Sequence, residues 1–322
     1  MCIEATQCRN GCMERQLGRP RPADPPADES PAPALLPPDG GPVLGMLLPS
    51  MAYYFMDILE GARDLVASRG GRLMVAFSDH RPERDPVQAD RLIEGGAEAL
   101  LLLPTWQHGR PEPGQGRWIE KLKVPVVLVE RRVPVEDPLA GLDRVESNAA
   151  HGVIVAVEHL TSLGHRRILA CFQTNADREQ LTKGFAIAAE AFGLDRPQRP
   201  FVSLRQLDEE VRHQQVLDRL CDAVVDDGVT AALIHTDADA HALVPPLRAR
   251  GVRVPEDLAL VSMGDRWAAF AEVPLTSVVI RGRVIGEAAA RLLLDRARDS
   301  APQHINYLPE LVVRASSGSA LP

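Results

Sequence analysis

No apolar run in this chain of 322 residues reaches the roughly 18 residues that a helix needs to cross a bilayer. The start, Met1 to Arg21, lacks a basic segment followed by an apolar core of roughly 7–15 residues, so no secretory leader is expected there. No Cys-x-x-Cys pair occurs, and the 5 cysteines are an odd number without paired spacing, which fits a reducing compartment. Cys2, Cys8 and Cys12 cluster near the start with no fourth ligand close by to complete a zinc or iron–sulfur site. Cys171 and Cys221 lie inside apolar stretches. Lysine is scarce, with Lys121, Lys123 and Lys183 alone among arginines, a bias of composition more than of function. Catalytic signatures are missing too. There is no G-x-x-x-x-G-K-[ST] phosphate loop and no G-x-S-x-G nucleophile elbow. Gly40 to Gly45 precedes a strand instead of following one, so it is no dinucleotide fingerprint. No cofactor is expected.

Against these absences stands a chain with 45% hydrophobic residues, which excludes disorder of the whole. Its length suits two domains or one two-lobed domain. With 36 Lys+Arg against 44 Asp+Glu the net charge is −8, which argues against nonspecific coating of nucleic acid by the whole surface.

The first 42 residues hold nine of the 27 prolines, and proline fixes φ and removes a donor. A Pro-rich tail without helix or sheet interior is expected over 1–42. From Val43 a strand–helix alternation begins. Strands are expected at Val43–Leu48, Leu73–Phe77, Ala99–Leu103 and Val124–Val129, with helices at Asp57–Val66 and Pro86–Glu94. The rhythm restarts after Asn148. Helices are expected at Val153–Leu163, Arg178–Phe192, Leu207–Asp226, Ala238–Arg250 and Val284–Arg296. Strands are expected at Arg167–Phe172, Thr230–Ile234, Leu258–Met263 and Tyr307–Val313. Short apolar strands alternating with amphipathic helices make an α/β fold whose parallel sheets are covered on both faces. His235, Asp237, Asp239 and His241 alternate as metal ligands on an extended segment would. A helix starting near Asp237, with that residue as N-cap, breaks the alternation, so no metal is expected.

Four ordered segments resemble the sensor domain of LacI/GalR-type transcriptional repressors. The first is Val254-Pro255-Glu256-Asp257-Leu258-Ala259-Leu260-Val261-Ser262-Met263-Gly264-Asp265, followed by Pro274 to Val278. The second is Glu158-His159-Leu160 with Leu163 to Ile168. Leu311 to Gly318 looks like the family's closing strand, and Pro49 to Phe55 is similar to its first ligand loop. The resemblance spans about residues 43–318. It implies a two-lobed, periplasmic-binding-protein-like type I fold. The first lobe would comprise 43–146 with 277–302, and the second 147–276 with 303–318, joined by crossovers near 145, 277 and 303.

In open parallel sheets, ligands bind beyond the carboxyl ends of the strands. Here those ends carry hydroxyl, carboxylate and aromatic groups suited to a small polar solute. The candidate ligand-binding residues are Ser50, Tyr53, Phe55, Asp79, Asn148, Arg178, Thr236, Asp237 and Asp265. Tyr54 is expected to pack under the lobe. The sequence also departs from the family pattern. Leu181 stands where an Arg commonly precedes the Gly-Phe that is Gly184-Phe185 here, with Arg178 one turn earlier on the same face. Thr236-Asp237 stands for a common Asn-Asp pair, Ser147-Asn148 for an Asp-Asn, and Gly264 leaves one carboxylate, Asp265, where two are usual.

The resemblance implies a cytoplasmic, dimeric sensor whose sugar-like effector shifts an open–closed equilibrium. It would reach DNA only through a helix-turn-helix head, which needs roughly 60 residues and is not evident in 1–42. An extracytoplasmic solute-binding protein shares the fold but needs export. An enzyme using Asp79 and Asp265 as an acid–base pair lacks an accompanying nucleophile, metal set or cofactor loop.

Overall fold

A computed structural model describes residues 40–174, 176–195, 201–203, 208–295 and 301–318, with backbone alone at 201–203. The expected Pro-rich tail lies outside the described residues, apart from 40–42. In chain order the first half contains β1 (Val43–Leu48), α1 (Tyr53–Ser68), β2 (Arg72–Phe77), α2 (Arg84–Glu94), β3 (Ala99–Leu102), α3 (Arg117–Glu120), β4 (Val126–Val129) and β5 (Asp143–Ser147). Then come α4 (Ala149–Ser162), β6 (Ile168–Gln173), α5 (Arg178–Ala191), β7 (Phe201–Ser203), α6 (Glu209–Asp226), β8 (Ala231–Ile234), α7 (Asp237–Ala249) and β9 (Ala259–Met263). The chain closes with β10 (Thr276–Val279), α8 (Gly282–Asp295), β11 (His304–Tyr307) and β12 (Glu310–Val312).

Among the described residues these strands form two six-stranded sheets, ordered β11-β5-β4-β3-β1-β2 and β12-β10-β9-β8-β6-β7. The first is parallel throughout. The second is parallel except for β12, which pairs antiparallel with β10. Central strands such as β3 and β8 are apolar along their whole length and wholly buried, as sheets covered on both faces require. In the first lobe, α1 and α8 share one buried cluster with Leu44, Met46 and Val127. α2 lies on the opposite face, with Leu47, Leu100 and Leu128. In the second lobe, α4 and α5 cover one face and α6 and α7 the other.

Two glycines let α1 and α8 approach closely. A Cβ on Gly61 would strike the Arg283 carbonyl, and one on Gly286 would strike the Ile58 carbonyl. No side chain fits there, so the contact is backbone against backbone.

The structure corrects the expected boundaries at three places. β10 belongs to the second sheet, so the chain returns to the first lobe only at about 280. The expected final strand Tyr307–Val313 is two strands on different sheets: β11 pairs with β5 in the first and β12 with β10 in the second. The third crossover therefore falls at 308–309, not near 303. A continuous polar and apolar mixture hid the break, because Pro309 interrupts the ladder without a change in composition. β5, β7 and β10 were not expected from the sequence. β5 reads Asp-Arg-Val-Glu-Ser, and its alternating burial rests on one valine.

Candidate functional site

Within each lobe the parallel strands end on one edge, and residues just past those ends meet across the gap between lobes. Ser50 Oγ accepts from the Ala52 N–H at 3.3 Å in the turn after β1. That turn starts α1 at Tyr53. Across the gap, α7 starts at Asp237 because Thr236 is its N-cap, with Oγ1 accepting from Asp239 N–H at 3.0 Å. The cap is thus Thr236 and not Asp237, which frees the Asp237 carboxylate to face the cleft. The Tyr53 hydroxyl donates to Asp237 Oδ1 at 2.7 Å, a bond between the lobes. Asp237 is fully buried, and its other oxygen accepts from the Trp267 N–H.

A second group gathers at the end of β4. Glu130 takes a left-handed conformation, φ 52°, which turns its carboxylate toward the strand beside it. It accepts from Ser147 N–H at 2.8 Å and Ser147 Oγ at 2.9 Å, where the chain is about to cross between lobes. Burial pushes the Glu130 carboxyl up to about 7, and the charge of Asp177 at the start of α5 adds to it; the Ser147 hydrogen bonds oppose the shift. Arg131 is buried and anchored by Pro104 O and, at 2.7 Å, Glu130 O. Burial lowers its pKa, against the attraction of Asp177, Glu130 and Asp85. The buried Tyr54 hydroxyl sits beside Glu130 and Ser147, and burial pushes its pKa up. Tyr54, Glu130 and Arg131 of the first lobe thus stand beside Asp177 of the second.

A third network anchors the second lobe's side. Asp239 accepts from His213 Nε2 at 2.8 Å, Thr236 Oγ1 at 2.7 Å, Arg212 Nη2 at 3.3 Å and the Gln173 amide. Burial disfavours its charge, but the His213 and Thr236 hydrogen bonds and the Arg212 charge prevail and hold its pKa down to about 2. Asp237 and Asp239 face different partners on a helix, so the alternating His and Asp run does not converge.

The sequence candidates divide accordingly. Tyr53, Thr236 and Asp237 come together. Asn148 stands at the first crossover as N-cap of α4, its Oδ1 accepting from His151 N–H at 2.9 Å. Arg178 is the first residue of α5, one position from Asp177. Phe55 packs against the first lobe's core and tilts against Tyr54, ring centroids 5.7 Å apart. Asp79 is exposed and pairs with Arg84. Asp265 pairs with Arg314 at 2.6 Å and accepts from Ser277 Oγ. The two carboxylates considered as an acid–base pair are therefore each held by a separate arginine. Leu181 points into the second lobe's core and away from the gap.

Glu130 and Arg131 were missed. The strand-end rule that picked Ser50 and Asp237 also applies after Val129, and the charged pair Glu130-Arg131 at that position was the available signal. Two hollows lie elsewhere. One of about 470 Å³ is lined by His213, Leu217, Leu243 and Pro246. The other, about 500 Å³, lies between α8 and β11. Neither is lined by the strand-end groups.

Comparison with known proteins bears on this arrangement. The family described as periplasmic binding protein-like domain matches residues 157–317. The arabinose metabolism transcriptional repressor of Geobacillus stearothermophilus is 26% identical over 275 residues, covering 82% of this chain and 73% of the relative. The transcriptional repressor PurR of Photobacterium profundum is 28% identical over 292 residues, covering 85% and 80%. A LacI family regulator from Enterococcus faecium, solved with bound ribose, superposes with a TM-score of 0.71 at 18% identity, covering 87% of this chain and 100% of that one. The regulator CelR in complex with cellobiose gives 0.69 at 26% identity, covering 87% and 86%.

Proposed function

Because the chain belongs to the periplasmic binding protein-like domain family, in the form of a LacI/GalR-type sensor, we propose that it takes a small polar effector, sugar-like, between its two lobes. The observation that carries this is that polar groups of opposite lobes meet at two places: the half-buried Tyr53 hydroxyl on the buried Asp237, and the buried Glu130 and Arg131 beside the half-buried Asp177. Charged and hydroxyl groups of this kind discriminate hydroxylated solutes by hydrogen bonding. Among the earlier candidates, Ser50, Asn148, Arg178 and Thr236 border the same gap. Asp79 pairs with Arg84, Phe55 packs on the first lobe's core and Asp265 pairs with Arg314.

Binding would bias the lobes toward one arrangement, and the difference in affinity for the two arrangements sets the output. The output is control of DNA binding through a helix-turn-helix head, which the described residues do not contain, in a homodimer. The curated relatives named above are transcriptional repressors, which supports regulation over transport. Among the described residues no helix is long and apolar enough to cross a membrane.

A thermal-shift screen of pentoses, hexoses, disaccharides, sugar acids and nucleosides tests the proposal. A solute at 100 times its dissociation constant stabilises the folded state by about 2.7 kcal/mol. No stabilisation by any of these classes at millimolar concentration would contradict it.

A further inference from the structure

Both carboxylate oxygens of Asp237 are engaged. Oδ1 accepts from the Tyr53 hydroxyl at 2.7 Å and Oδ2 from the Trp267 N–H, and the residue is fully buried. A phenol presents the same O–H donor as a ligand hydroxyl, and hydrogen bonds to carboxylates are among the stronger ones. Burial first, then the charge of Asp237, pushes the Tyr53 pKa up, so the hydroxyl keeps its proton and remains the donor.

Gly264 makes this contact possible. It sits just past β9 with φ +91°, and a Cβ there would stand 3.0 Å from both Asp237 Oδ1 and the Tyr53 hydroxyl oxygen. That spacing is tight for a methyl group, and any longer side chain would take the volume that the phenol occupies. The absence of a side chain at 264 and the reach of Tyr53 are therefore two halves of one arrangement.

The bond also differs in kind from two ion pairs between the lobes. Arg266 Nη1 meets Asp57 Oδ1 at 3.2 Å and Arg110 Nε meets Glu179 Oε2 at 3.3 Å. In both, the arginine is about half exposed, and exposed ion pairs contribute little. The Tyr53–Asp237 bond, by contrast, is shielded from water at the carboxylate end.

We propose that Tyr53 is a built-in occupant of the effector's hydroxyl position on Asp237, a latch that holds the lobes together in the absence of effector and that an effector hydroxyl must displace. This rests on the assignment of the gap as the effector site. The latch makes the closed arrangement the resting one. It also sets specificity, because a solute gains from Asp237 only by outcompeting an intramolecular donor. Solutes lacking a hydroxyl that reaches Asp237 leave the latch in place.

The test needs no effector, so its failure is separable from a failure of the effector assignment. Small-angle X-ray scattering of the full, solute-free chain is compared with that of Tyr53→Phe, which removes one oxygen and keeps the ring. Losing a hydrogen bond to a charged group shifts the closed-to-open ratio by about tenfold or more. The expected result is a larger radius of gyration in Tyr53→Phe with an unchanged circular dichroism spectrum. Gly264→Ala crowds the phenol off Asp237 and is expected to open the lobes likewise. The double variant opens no further than either single one, since one bond is lost in each. Equal radii for the wild type and Tyr53→Phe overturn the latch. So does additive opening in the double variant. If Gly264→Ala does not fold, Tyr53→Phe decides alone.

Discussion

Asp265 and Arg314 clasp the strand that lies between them. Asp265 follows β9, Arg314 follows β12, and β10 lies between the two strands. Arg314 Nη1 is 2.6 Å from Asp265 Oδ1, and donates to Ser277 Oγ and Leu275 O at 2.8 Å each. Asp265 thus staples three strands. Burial disfavours its charge, but the Arg314 and Ser277 hydrogen bonds prevail and lower its pKa.

Asp265→Ala is expected to destabilise the protein by about 2 kcal/mol at pH 7, the scale for hydrogen bonds to charged groups. A depressed carboxyl pKa stabilises above the unfolded value of about 3.9 and loses that contribution as pH falls through the folded value. The difference between wild type and variant therefore shrinks below about pH 4. Urea midpoints at pH 7 and pH 3 measure it.

Leu181→Ala is expected to cost about 2–5 kcal/mol, the range for truncating a buried leucine, because the side chain is 1% exposed in the second lobe's core. Leu181→Arg would bury a charge in that core and cost more. Neither supplies a clamp for the effector. Denaturant unfolding checks the costs, and Leu181→Ala keeps the effector affinity of the wild type.

Glu130 gives a pH signature of opposite sign to that of Asp265. Its folded pKa is about 7 against a usual 4.5, so the folded state holds a proton that the unfolded state has released. Stability is full below about pH 4.5 and falls as pH rises toward 7, by on the order of 3 kcal/mol. Glu130→Gln keeps an acceptor for Ser147 and flattens that fall. Thermal midpoints from pH 5 to pH 8 in both proteins measure it.

Gly61→Ala places a methyl group against the Arg283 carbonyl and forces α1 from α8. Overpacking of this kind costs about 1–3 kcal/mol. A drop in the urea midpoint without a change in its slope is the expected outcome.

The helices and central strands were legible in the sequence because their apolar periodicity is strong: β1, α2 and β8 fall within two residues of their expected bounds. β10 and β12 were obscured because short edge and near-edge strands carry few apolar residues, and sheet membership depends on partners distant in the chain. At the gap, Tyr53 and Asp237 were identifiable from their positions after β1 and β8. Their direct bond was not, since it depends on the empty volume at Gly264. The Asp265–Arg314 pair was not legible either, because a carboxylate after a strand looks the same in sequence whatever it pairs with.

Hydrogen–deuterium exchange, with and without the most stabilising solute of the screen, tests the location of the effector most directly. Slowed exchange is expected at Met51–Tyr53, Glu130–Arg132, Asn148–His151 and His235–Asp237, the segments proposed to border the effector. Protection confined to the hollow around His213 and Leu217, or to that between α8 and β11, with the strand ends unchanged, would contradict an effector held between the lobes.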